Sequence, residues 1–138
     1  IPKGDLYRRL QHGEDVLIDG KLIKSNEVVG ANRKDRKIGV SGDTRPSPEL
    51  RDFFNSCDIL IFESTYNHDY QTKAIETFHS TSTEAALLAK ESHCSKLILT
   101  HFSSRYDDPN LLLDEARTIH KNVDLAEDMK TFYVPYAE

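Results

Sequence analysis

Short apolar runs that end in polar residues alternate along this chain with stretches of helical spacing. Lys37-Ile38-Gly39-Val40 runs into Ser41-Gly42-Asp43-Thr44. Asp58-Ile59-Leu60-Ile61-Phe62 runs into Glu63-Ser64-Thr65, and Lys96-Leu97-Ile98-Leu99-Thr100 into His101-Phe102-Ser103-Ser104-Arg105-Tyr106. A fourth run, Thr131 to Val134, stops at Pro135. Continuous apolar runs of this length read as buried strands of a covered sheet. Between them lie helix starts. Ser47 is placed as an N-cap, with Pro48 at the first helical position and Glu49 in the first turn, for a helix to about Ser56. Thr81-Ser82-Thr83-Glu84 is a capping box, opening a helix to about Ser92 that turns Ala85, Ala86, Leu88 and Ala89 toward the sheet. Asp108-Pro109 opens another, through about His120, with Leu112, Leu113, Ala116 and Ile119 at helical spacing. The stretch from Tyr66 to Phe78 is the least patterned and accommodates a short helix around Gln71 to Thr77. Strand and helix alternating in this way predict an α/β domain, a sheet covered by helices. Ligands of such sheets sit beyond the carboxyl ends of the strands, so three polar strand tips predict one rim and one site.

Residues 1–30 have a different texture. Gly4 to Leu10 reads as a short helix stopped at Gly13, and Val16-Leu17-Ile18, Asp19-Gly20, Lys21-Leu22-Ile23 as a hairpin on a type I′ turn. This segment has too few apolar residues for a core of its own and is expected to be an appendage, 1–30, on a domain spanning 31–138. The basic run Arg33-Lys34-Asp35-Arg36-Lys37 joins them and reads as solvated surface.

Composition narrows the class. The chain has 138 residues, 38% hydrophobic and 30% charged, which is one domain or part of one with a polar surface. No apolar run approaches the roughly 18 residues of a membrane span. No leader is visible, and the start at Ile1 leads us to expect a piece of a longer protein. Cys57 and Cys94 lack C-x-x-C spacing and read as buried thiols, which fits a reducing, cytoplasmic setting. A net charge of −5 is not that of a non-specific nucleic-acid binder, so a phosphate-rich substrate would have to be held by local basic patches.

Several polar tips can carry chemistry. Asp43 follows Gly42 and either caps a turn or binds a ligand, and Ser41 and Thr44 beside it can donate to a phosphate or to the turn itself. His79 directly precedes the capping box, at a helix start where anions are favoured and where a proton can be supplied. Glu63 can hold a histidine in one tautomer or pair with an arginine. His101 is the strongest candidate, because nothing structural calls for histidine after Leu-Ile-Leu-Thr. His12, His68, His93 and His120 read as loop or helix-surface residues. One aspartate and one histidine suit zinc or manganese, but two ligands do not complete a centre.

Taken together, Ser41-Gly42-Asp43-Thr44, Phe62-Glu63-Ser64-Thr65, Phe78-His79-Ser80-Thr81 and Thr100-His101-Phe102-Ser103-Ser104-Arg105-Tyr106 resemble the later motifs of the tRNA 3′-processing endonuclease RNase Z (tRNase Z), of the metallo-β-lactamase superfamily. The resemblance runs the whole length, through Leu125-Ala126-Glu127-Asp128. It implies the C-terminal half of an αββα sandwich, preceded by the distal part of a protruding tRNA-binding arm. By it, Asp43 and His101 are metal ligands in a centre of two zinc ions whose other ligands lie outside this chain. His79 is the catalytic histidine and Glu63 orients it. Ser41, Thr44, Ser80, Thr81, Ser103, Arg105 and Tyr106 line the phosphate and 3′-end pocket, while Lys3, Arg8, Arg9, Lys21 and Lys24 on the arm contact tRNA phosphates. The implied partners are precursor tRNA, the N-terminal half bearing a His-x-His-x-Asp-His cluster, and a second copy in a homodimer. Two positions depart from the family pattern: Asp5 follows Gly4 where the arm usually has proline, and Phe62 precedes Glu63 where histidine is usual. The same features leave two other readings open, another metallo-β-lactamase-fold hydrolase or a non-catalytic α/β binding domain. With only two ligands, the chain alone is expected to bind zinc weakly and to cut nothing.

Overall fold

The computed structural model describes residues 4–30 and 34–136. Lys3 and Arg33 lie outside the described residues. The chain forms two compact units, one up to Lys34 and one from Asp35 to Tyr136. In the first, helix α1 (Asp5–Gln11) precedes strands β1 (Val16–Ile18) and β2 (Lys21–Ile23), which pair antiparallel. Asp19 and Gly20 both have positive φ, 49° and 77°, as the expected type I′ turn requires. A one-turn helix α2 (Ser25–Val28) follows, which the sequence pattern did not reveal. It is fixed by Ser25, whose N–H donates to Asp15 Oδ1 and whose hydroxyl donates to the carbonyl of Leu10. Leu10 and Val16 are the buried apolar side chains of this small unit.

The second unit is a parallel four-stranded sheet in the order β3 (Ile38–Val40), β4 (Ile59–Glu63), β5 (Lys96–Thr100), β6 (Val123–Leu125). Its register sorts the side chains by face. Gly39, Leu60, Leu97 and Val123 form one row and Phe62, Leu99 and Leu125 the next, all turned to the helical side. There they pack on Phe54, Ala85, Ala86, Leu88, Ala89, Leu112 and Ala116, from α3 (Pro48–Phe53) and its exit, α5 (Ser82–Glu91) and α6 (Asn110–Arg117). The alanines of α5 let it lie close on the sheet. Gly39 has no side chain for a related reason: a Cβ there would stand 2.6 Å from the Phe54 ring.

The helix starts are largely as the sequence predicts. Ser47 caps α3 through the N–H of Leu50, and Thr81 and Glu84 complete both halves of the capping box, each cap contributing about 1 kcal/mol. The segment 66–78 holds a 3₁₀ turn (His68–Tyr70) leading into α4 (Gln71–Glu76). α6 begins one residue later than expected, with Pro109 at the N-cap and Asp108 Oδ1 accepting from the N–H of Asn110.

One expected strand is absent. Thr131 to Val134 does not join the sheet, and the fourth strand is Val123–Leu125 instead. Val123 and Leu125 extend the two buried rows, while Asp124 on the other face pairs with Lys96 at 2.6 Å. The later segment is held by side chains. Arg36 donates to the carbonyl of Val134 and lies 4.0 Å from the Tyr136 ring centroid, and the Lys96 and Lys130 ammoniums lie over Phe132. Among the described residues no helix is long and apolar enough to cross a membrane.

Candidate active site

Three parallel strands end on one rim, and Glu63, the last residue of β4, is its buried hub. Its side chain is 1% exposed, and a carboxylate so placed must be matched by donors. Its Oε1 accepts from the N–H of Thr44 at 3.0 Å and faces His79 Nδ1 at 2.9 Å. Its Oε2 accepts from the N–H of Thr65 at 3.2 Å and from the Thr65 hydroxyl at 2.8 Å. An ionised carboxylate only accepts, so Nδ1 of His79 carries a hydrogen, and in the neutral ring Nε2 keeps its lone pair. The same logic reaches His101. The hydroxyl hydrogen of Thr65 is committed to Glu63, so its oxygen accepts from His101 Nδ1 at 2.9 Å and leaves the Nε2 lone pair of that ring free as well.

These nitrogens converge with Asp43. The His79 and His101 rings stack with centroids 5.1 Å apart, and one ligand atom from each of Asp43, His79 and His101 lies within 4.8 Å of the others. His101 Nε2 stands 3.5 Å from Asp43 Oδ1. Two acceptors facing one another across that distance repel unless a proton or a cation lies between them. Imidazole nitrogen with carboxylate oxygen is the donor set of zinc and similar divalent metals, and an acceptor behind each imidazole, Glu63 behind His79 and Thr65 behind His101, is the usual kind of support for such ligands. The residues therefore fit a metal, although three donors fall short of the four that close a structural zinc site.

The loops that present them are tied to each other. Ser41 continues the β3 pairing through its N–H to Ile61, and its hydroxyl donates to Gly42 and accepts from the N–H of Glu63. Gly42 then turns the chain with φ of 62°, and His101 ends β5 at φ 60°, a conformation that costs a side-chain-bearing residue about 1 kcal/mol or more. Arg45 makes a link that the sequence pattern did not reveal. Its guanidinium donates to the carbonyl of His79 at 2.6 Å and grips both oxygens of Glu84. Burial pushes the Glu84 carboxyl up. The hydrogen bonds from Arg45, the Thr81 N–H and Gln71, with the charge of Arg45, outweigh this and hold it below its ordinary 4.5. Arg45 lies outside the sequence motifs, and Thr65, which closes Phe62-Glu63-Ser64-Thr65, has no role of its own assigned by them. Thr65 sits two residues after Glu63, and that spacing is the one trace of its role in the sequence.

The other expected site residues fall into groups. Ser80 and Thr81 are fully buried, with hydroxyls committed to the Thr44 carbonyl and to the cap of α5. The Thr44 hydroxyl donates to the Arg45 carbonyl. Ser103 donates its N–H to Thr65, and its hydroxyl accepts from Nε of Arg105. The Tyr106 hydroxyl accepts from the N–H of Asn67 and donates to its side-chain oxygen, both at 2.8 Å. Arg8, Lys21 and Lys24 are exposed on the first unit, where Arg9 pairs with Glu14. Cys57 and Cys94 are free and buried. Burial pushes both thiols up, Cys94 to about 11, which favours the thiol over the thiolate.

No protein-family model matches the chain. It is 45% identical over 129 residues to ribonuclease Z of Nitrosopumilus maritimus, a match covering 94% of this chain and 43% of that protein. With ribonuclease Z of Myxococcus xanthus the identity is 44%, over 98% of this chain and 45% of the relative. The chain thus spans less than half the length of the curated relatives it matches. Among solved structures, the short form of human tRNase Z superposes with a TM-score of 0.59 at 30% identity, over 83% of this chain and 37% of that one. The metallo-β-lactamase fold protein YhfI of Bacillus subtilis gives 0.61 at 26% identity, over 65% of this chain and 37% of its own.

Proposed function

We propose, for a chain that belongs to the ribonuclease Z family and carries part of the metallo-β-lactamase fold, that it supplies the proton-donating side of a metal-dependent tRNA 3′ endonuclease. The observation that supports this most directly is the convergence of Asp43 Oδ1 and the His101 Nε2 lone pair beside His79. Asp43 and His101 hold zinc in this reading, with the remaining ligands supplied from outside the chain. When bound, the metal supplies a nucleophilic water and neutralises charge on the attacked phosphate. The residues of this chain do the rest. His79 Nε2 takes up a proton from solvent and, as the imidazolium, passes it to the departing 3′ oxygen as the P–O3′ bond breaks, leaving a 3′-hydroxyl on the tRNA and a 5′-phosphate on the trailer. The Glu63 carboxylate behind Nδ1 stabilises the imidazolium and fixes the ring. Arg105 and Ser103 contact the phosphates near the cut, and Arg8, Arg9, Lys21 and Lys24 contact other tRNA phosphates, as the family's arm does by resemblance. A homodimer, which the family resemblance implies, belongs to the same reading.

The test is cleavage of precursor tRNA by the uninterrupted protein that contains this chain. Wild type should release a trailer with a 5′-phosphate, and Asp43→Ala and His79→Ala should each lower the rate at least a hundredfold. A wild-type protein that leaves precursor tRNA uncut, with metal bound, would overturn the proposal.

A further inference from the structure

Beside the His79–Glu63 pair lies a second surface feature that the proton-transfer scheme does not use. Tyr66 and Tyr70 stack with ring centroids 6.3 Å apart and planes 30° apart. The Arg105 guanidinium lies over both, 4.3 Å from the Tyr70 centroid and 5.0 Å from that of Tyr66. Tyr66 in turn meets the His79 ring edge-on at 6.5 Å. Tyr66 is buried, whereas Tyr70 is 44% exposed, so the outer ring of the stack faces solvent.

Hydrogen bonds hold the turn that carries Tyr70 and the Arg105 side chain. The turn carrying Tyr70 is pinned from one side by Glu115, whose carboxylate accepts from the N–H of His68 at 2.9 Å. It is pinned from the other by the Tyr106 hydroxyl on the N–H of Asn67. Arg105 is steadied by the Ser103 hydroxyl on its Nε, and among the described residues no carboxylate pairs with it. A partly exposed aromatic ring beside a cation with unspent donors matches the two parts of a nucleotide, a base that stacks and a phosphate that needs a partner.

We infer that Tyr70, backed by Tyr66 and Arg105, is a stacking platform for one unpaired nucleobase flanking the phosphate that is cut. The inference rests on the nuclease reading for its biological setting, but its test does not need turnover. The affinity of the uninterrupted protein for a short single-stranded RNA would be measured by fluorescence anisotropy, against the same oligonucleotide made abasic throughout. Tyr70→Leu keeps apolar bulk and removes the π face, and Tyr70→Phe keeps the face and loses the hydroxyl. We expect about tenfold weaker binding of the intact RNA by Tyr70→Leu, within the range for one lost base stack. Tyr70→Phe should bind like wild type, and all three proteins should bind the abasic strand alike. Equal affinity of wild type and Tyr70→Leu for intact RNA would overturn the inference, as would an equal loss on the abasic strand. The nuclease reading fails separately, if wild type does not cut precursor tRNA.

Discussion

His101 Nε2 and Asp43 Oδ1 face each other across 3.5 Å. Neither position is held by that contact. Asp43 comes from the loop that Ser41 and Gly42 turn at the end of β3, and His101 from the end of β5, with its tautomer set by Thr65 and, through it, Glu63. The convergence is thus imposed by the backbone and by hydrogen bonds behind the site.

Thr65 should therefore govern metal affinity without being a ligand. In Thr65→Val the Nδ1–H of His101 loses its acceptor and the ring loses its fixed orientation. Metal affinity of the uninterrupted protein, measured by chelator competition, is expected to fall roughly tenfold or more, as for other residues behind a metal ligand. Thr65→Ser should restore it. Unchanged affinity in Thr65→Val would remove Thr65 from the account.

Glu63→Gln keeps the shape and changes the hydrogen-bond count. Two of the four donors around the carboxylate would then meet an NH₂ group instead of an oxygen, in a buried place. We expect a stability loss of about 1–3 kcal/mol by denaturant titration. The single-turnover rate should fall further than a loss of substrate affinity explains, because the His79 imidazolium loses its counter-charge.

Arg45→Ala should shift the acid limit of the fold. The carboxyl of Glu84 is held below its ordinary 4.5 in the folded protein. It therefore contributes stability that is fully present above that value and lost as pH falls through the lower folded value. Without Arg45 the largest remaining influence is burial, which pushes the carboxyl up. Acid unfolding of Arg45→Ala is thus expected to begin at higher pH than in wild type, with a loss at neutral pH of about 3 kcal/mol. Coincident acid-unfolding curves would contradict this.

Gly39→Ala probes the sheet–helix contact beneath the rim. Its Cβ would meet the Phe54 ring at 2.6 Å and Cys57 Sγ and Leu60 Cδ1 at 3.0 Å. Overpacking of this kind costs about 1–3 kcal/mol, read as a lower denaturant midpoint. A midpoint equal to that of wild type would show that the α3 exit can move aside.

The 138-residue chain, titrated with zinc on its own, should bind weakly and below two ions per chain. Asp43, His79 and His101 are the described residues that could gather on an ion, and they do not complete a coordination shell. Tight binding of two ions would show that the chain holds more ligands than these.

Much of this was legible because local rules and tertiary packing agree. The caps at Ser47 and Thr81 announce their helices, and continuous apolar runs announce β3, β4 and β5. The strand Val123–Leu125 was not legible: three alternating residues leave little pattern, and its place is decided by the buried rows beside Leu97 and Leu99. Thr131 to Val134 looked more like a strand, yet the β5 edge was already taken. At the site, Asp43, His79 and His101 stand out as polar tips of apolar or capped segments. Thr65 and Arg45 do not, since their importance lies in bonds to residues 36 and 39 positions away.

Among the described residues β3 is one of the two outer strands of the sheet, and its Ile38 and Val40 side chains, turned away from the helices, are 55% and 63% exposed. A bare strand border with two branched aliphatic side chains in the open is a template for sticking to other chains. Preparations of this segment by itself should grow turbid as concentration rises, and charged replacements at 38 and 40 should keep them clear.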